Sequence, residues 1–296
     1  MDGSFYWLGV TLAILSGFFH HFGTVLQKIV INKLPSDAKF MRSLIKKPLW
    51  LSGFLMQQVL GTICFLIAQV YIGPALIPGL MASGLISLTI GSIIIVGERL
   101  RKIEILAIIM MIVAITLLGL SELSIEVSKI DLIEFGFVVR MTIFTALIIV
   151  LALFCDIGQR KIERFRGPLL AIYAGFFFGL CNFWIAPLMG VITHVFGGTS
   201  SLGELVLFII SCVILVFSNF YAIVKLQNSY KYGQASNMAP IALVPQQITP
   251  IFVYFSVFML NPPNEISVFY MLAGVALILT SSFVLSKRQA QIEEIK

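Results

Sequence analysis

Charge is scarce in this chain. Only 11% of its 296 residues are Asp, Glu, Lys or Arg, against 59% hydrophobic ones. A soluble domain is about a quarter charged, so this shortage excludes an ordinary soluble fold. Cysteine is sparse too: Cys64, Cys155, Cys181 and Cys212 all lie inside apolar runs, with no CxxC spacing. That excludes a disulfide framework or a zinc ribbon and reads as small packing residues. GxSxG, HExxH and phosphate-cradling glycine loops are missing. The expectation is therefore no enzyme, with no catalytic residue, no cofactor and no resident metal. Before the first apolar run, MDGSFYW has no basic segment, which reads as a retained first helix, not a cleaved signal peptide.

What the chain does have is apolar runs of membrane-crossing length. Stretches of about twenty apolar residues separated by short polar links are the mark of transmembrane helices. Nine spans are predicted, at 5–27, 49–72, 74–96, 103–120, 137–156, 168–194, 204–227, 235–260 and 266–286. With nine, eighteen of the 20 Lys and Arg fall on one side, while Lys129 and Arg140 lie on the other with Asp2, Glu122, Glu126, Asp131, Glu134, Glu204 and Glu265. The positive-inside rule then places the N-terminus outside and the C-terminus in the cytoplasm. The basic residues are scattered over five short pieces, which fits orientation and contact with the lipid bilayer, and excludes nucleic acid as a partner.

Self-similarity appears at a shift of about 160 residues. It sets Gly73 on Gly233, Ala75 on Ala235, Gly17-Phe18-Phe19 on Gly175-Phe176-Phe177 and Gln58 on Asn219. Spans 1–4 would thus repeat as spans 6–9, giving a first repeat over 1–120, a linker with span five over 121–167 and a second repeat over 168–296. Five spans separate the copies, so they cross in opposite senses, an inverted plan common among secondary transporters.

The third and eighth spans carry Pro74, Pro78 and Gly79, with Gly84 after them, and Pro240, Pro245 and Pro250. Proline removes a helix donor and clashes with the preceding turn. Freed carbonyls at membrane depth need protein or water, and interrupted helices at matched positions point to a substrate site and hinges. Beside them stand Gln246 and Gln247. Other amides in the spans are Gln27, Gln58, Gln69, Asn182 and Asn219, and His20 shares one helical stripe with Gln27. Each has a plainer reading as a hydrogen bond between neighbouring helices, and the glycines as close helix approach. His20 could relay a proton or bond a neighbour. No Asp or Glu stands mid-span; Glu98, Glu104 and Asp156 fall at span ends.

Gly23-Thr24-Val25-Leu26-Gln27-Lys28, Lys47-Pro48-Leu49-Trp50 and Gly97-Glu98-Arg99-Leu100 resemble segments of the drug/metabolite transporter superfamily, and most of all the NIPA-like magnesium transporters. The resemblance implies a basket of helices around a central cavity, and magnesium as a candidate substrate. Where that family carries a Gly-Glu pair in its second helix, this chain has Met56-Gln57-Gln58-Val59. Magnesium is normally held through carboxylates; a lining of Gln, Asn and His suits a small polar or zwitterionic solute, or a hydrated divalent cation passed without direct ligation. The expectation is a transporter or facilitator working by alternating access. Divalent-cation transport and a non-transporting scaffold or receptor are the alternatives, and a homo-oligomer is left open.

Overall fold

Hydrocarbon offers no partner to a backbone N–H or C=O, so a chain this apolar must satisfy its peptide groups within helices. The computed structural model, which describes residues 3–31, 46–96, 101–232 and 235–294, is all-α, with no strand among the described residues. The helices are α1 (Gly3–Ile31), α2 (Pro48–Ile72), α3 (Ile77–Met81), α4 (Gly84–Val96), α5 (Lys102–Ser121), α6 (Phe135–Lys161), α7 (Arg166–Phe196), α8 (Leu202–Ser229), α9 (Ala235–Phe252) and α10 (Glu265–Glu294). Among the described residues eight helices are long and apolar enough to cross a membrane; the shortest, α5, has 20 residues, or about 30 Å at the usual rise. Lys33, Lys39 and Arg42, the Gly97–Leu100 motif with Glu98, and Gly233 lie outside the described residues.

Two helices act as hubs. α1 carries α2, α3 and α4; α7 carries α6, α8 and α9; α5 and α10 pack on each other between the two groups. Backbone contact at the hubs depends on missing side chains. A Cβ on Gly17 would stand 2.2 Å from the Met81 carbonyl oxygen, and one on Gly175 would stand 2.1 Å from that of Ala242. Gly84 closes on the Gly17 carbonyl and the Pro245 ring closes on Gly175. Between the groups, Gly274 of α10 lies against the Ala114 carbonyl of α5.

The two proline-rich segments differ from expectation in opposite ways. The predicted third span is not one helix: Pro74–Leu76 forms a turn, α3 lasts five residues, and Ala82-Ser83 separates it from α4. The eighth, expected to be interrupted, is continuous through Pro240, Pro245 and Pro250. These prolines stand five residues apart, so each missing bond is isolated between intact ones, and neighbours can satisfy the freed carbonyls. Pro245 and Pro250 free the carbonyls of Ile241 and Gln246, four residues before them; separately, Thr249 Oγ1 donates back to the Pro245 carbonyl at 2.6 Å. The regular helix gives way only afterwards, to a π-helical turn at Val253–Val257 and then Met259 with φ 52°.

One end of the bundle is closed by chain. Gly73 adopts φ 65°, the Ile125 N–H donates to the Ile72 carbonyl at 3.1 Å, and Leu123 and Ile125 are fully buried. Tyr6 donates to the Gly119 carbonyl at 2.7 Å, and Arg140 Nε donates to the Val257 carbonyl at 2.8 Å. Elsewhere, Lys225, expected in a link, sits within α8 and pairs with Asp156 of α6, which also binds Arg160.

Candidate functional site

Between the two hubs lies a cavity of about 460 Å³. Its polar wall is built by His20 and His21 from α1, Gln58 and Thr62 from α2, Asn182 from α7, Asn219 from α8 and Gln246 from α9. Apolar wall comes from Phe65, Met81, Leu85, Phe178 and Leu243, and Pro78 and Cys181 complete it. Among the described residues, none that lines the cavity is an acid, a lysine or an arginine.

Five of the eight expected site residues therefore share one space: His20, Gln58, Asn182, Asn219 and Gln246. The other three lie elsewhere. Gln27 donates through Nε2 to Gln57 Oε1 at 2.6 Å, locking α1 to α2 where Gly23 and Gly53 bring the backbones together. Gln69 is 1% exposed in the last turn of α2, its Nε2 without a partner. Gln247 is buried, and its Nε2 donates to the Pro78 carbonyl at 3.1 Å. A helix as short as α3 leaves its carbonyls without intrahelical donors, so this amide satisfies one group freed by the break.

The adjacent Gln57 and Gln58, which point about 100° apart, lie in a π-helical turn at Met56–Leu60 and take different jobs. The extra residue in the turn shifts the helical phase, a distortion frequent at functional sites. Gln57 meets Gln27, while Gln58 meets the cavity.

The histidines are unlike each other. His21 Nδ1 lies 3.0 Å from the Gly17 carbonyl oxygen. A carbonyl only accepts, so Nδ1 donates, and the neutral ring keeps Nε2 as an acceptor. His20 Nδ1 is buried without a partner and faces Gly61, where a Cβ would stand 2.6 Å away. Adjacent residues point about 100° apart around a helix, yet both His20 and His21 line the cavity. His21, Thr62 and Cys181 were not among the expected lining; Thr62 follows Gln58 by one helical turn and Cys181 adjoins Asn182, and that spacing could have found both.

Such a wall offers neutral donors and acceptors from five helices beside aromatic and aliphatic surface. It can orient a hydrogen-bonding solute and exclude an uncompensated charge. Among the described residues there is no group of three or more His, Cys, Asp or Glu that could hold a metal ion. His194 lies far along α7, with its Nδ1 2.5 Å from Glu204 Oε1, and takes no part in the wall. No family model, no curated protein and no solved structure matches the chain.

Proposed function

We propose that this protein is a membrane transporter or facilitator that moves a small polar solute through the central cavity by alternating access. The observation that carries the reading is the convergence of His20, Gln58, Asn182, Asn219 and Gln246, from five helices, on one uncharged cavity. Polar groups on apolar spans are costly unless partnered; five meeting at one space are economically explained by a solute that partners them.

An inverted repeat supports the mechanism. At the shift of about 160 residues, Gly17 corresponds to Gly175, Met81 to Ala242 and Gly84 to Pro245, and the two sets make the same triangle of contacts. Ala114 corresponds to Gly274, and these two touch, as residues beside a pseudo-twofold axis do. Gln58 corresponds to Asn219, and both line the cavity. Two inverted four-helix units, joined through α6 and making nine crossings if α3 and α4 together count as one, have two related arrangements whose exchange carries a solute from side to side. The basic links put the N-terminus outside and the C-terminus in the cytoplasm under this plan.

The test begins with a screen of solutes for thermal stabilisation in detergent, followed by flux of the best into proteoliposomes. Gln58→Leu and Gln246→Leu each abolish that flux while the protein still inserts; normal flux through both removes the proposed site. Magnesium, the substrate the family resemblance implies, finds no carboxylate on this wall. Vesicles loaded with a magnesium-sensitive dye therefore stay silent under a magnesium gradient, and a dye response would move the substrate from a polar solute to the cation.

A further inference from the structure

Gln58 and Asn219 are both exposed, although each sits deep within a span. Gln58 is ten residues from the start of α2, and Asn219 is ten from the end of α8, a depth of ~15 Å in each case. Their neighbours along the helix are exposed and apolar: Val59 at 43% and Leu60 at 45% on α2, Val216 at 68% and Phe220 at 62% on α8. Those side chains face hydrocarbon in a spanning helix. An amide bordering both the cavity wall and a lipid-facing strip marks a place where the two meet.

Packing agrees with this. The first half of α2, through the π-helical turn, packs chiefly on α1, while α8 packs chiefly on α7. α2 and α8 both line the cavity, and among the described residues they make little or no contact with each other. The main contact of α2 with α7 lies beyond Gly61. Among the described residues the cavity is thus unwalled on one side at mid-depth.

We infer that the cavity opens sideways into the bilayer between α2 and α8, and that its occupant is an amphiphile with an uncharged hydrogen-bonding head and an apolar tail. This rests on the transport reading for what the protein does with the occupant. The head takes the amides of Gln58, Asn182, Asn219 and Gln246; the tail leaves past Val59 and Phe220. A charged head would find no counter-ion on the wall and would bear the cost of an unpaired charge at low dielectric. A purely polar solute would have to leave the gap to lipid chains.

Bimane attached at Asn219→Cys, with the four native cysteines replaced by alanine, reports the opening in bilayers containing phosphatidylcholine with a mid-chain nitroxide. Quenching comparable with that at Phe220→Cys, and at least three-fold reduction of it by monooctanoylglycerol but not by glycerol or octanoate, is the expected result. Quenching by aqueous iodide alone, or equal protection by glycerol, overturns the inference. Should the alanine background fail to fold, a photo-reactive phenylalanine introduced at Gln58 of the otherwise native chain must form lipid adducts; their absence likewise overturns it. Protection by monooctanoylglycerol without flux of it in vesicles supports the amphiphile site and counts against transport. Glycerol flux without lipid quenching does the reverse.

Discussion

The segments predicted as the third and eighth spans are both rich in proline, and only one of them breaks. In the third, the prolines come after a glycine that turns the chain at φ 65° and within a few residues of Ala82-Ser83, so no run of intact helical bonds is long enough to carry a helix across. In the eighth, 18 residues of helix absorb three prolines at regular spacing. Proline count is therefore a poor guide to where a membrane helix ends; the length of uninterrupted bonding between prolines, and what lies beyond them, decides it. The asymmetry has a chemical consequence. The continuous helix lends Gln247 to the broken one, while the position matching it in the broken segment is near Ile86, which has no amide to return.

The largest effect tests the packing that the two segments share. Gly17→Ala and Gly175→Ala each force a Cβ within about 2 Å of a carbonyl on the matched segment. Overpacking costs about 1–3 kcal/mol and occasionally more, and contact with backbone puts these two at the upper end. Both variants lose most of their folded yield in detergent, measured by fluorescence-detected size exclusion. A marked inequality between them would show that the two contacts are not equivalent, and would undo the repeat.

How much of this was legible follows from what kind of information each feature uses. The all-α character and the eight long helices follow from run length and scarcity of charge, which are local. That His20, Gln58, Asn182, Asn219 and Gln246 belong to one space was readable because a mid-span amide has few reasons to be there. Which amides would be spent elsewhere was not. Gln27 and Gln247 look the same in sequence as Gln58 and Gln246, and their partners, Gln57 and the Pro78 carbonyl, are set by the crossing of helices. Of the adjacent pair, Gln58 alone was expected at the site and it lines the cavity, whereas the bond of Gln57 to Gln27 had no signal in the residue pattern. The continuity of α9 escaped because it rests on the run of intact bonds between prolines and on packing against α7, neither of which a proline count reveals.

An intermediate effect separates neighbouring glutamines. Gln247→Leu leaves the buried Pro78 carbonyl without its donor, a loss of about 1–3 kcal/mol, and lowers the melting temperature in detergent. Gln246→Leu removes an amide that faces the cavity and has no such duty; its melting temperature stays near that of the parent, while stabilisation by a bound solute disappears. If the two substitutions have equal effects on the unliganded protein, the joint between the broken and continuous helices is not held by Gln247.

The smallest effect concerns the prolines themselves. Pro78 stands in the first turn of α3, where its missing N–H has no intrahelical partner in any case and its fixed φ suits the helix. Pro78→Ala therefore costs about 1 kcal/mol or less, chiefly through added freedom of the unfolded chain. Pro240 lies inside a helix that is formed with or without it, so Pro240→Ala restores a donor and leaves stability level or slightly raised. Thermal melts of the two variants side by side put Pro78→Ala slightly below the parent and Pro240→Ala at or above it on this account. A large destabilisation by Pro240→Ala would mean that the ring, and not the backbone it interrupts, is what α9 contributes there, and the contrast between the two segments would have to be redrawn as one of side-chain packing.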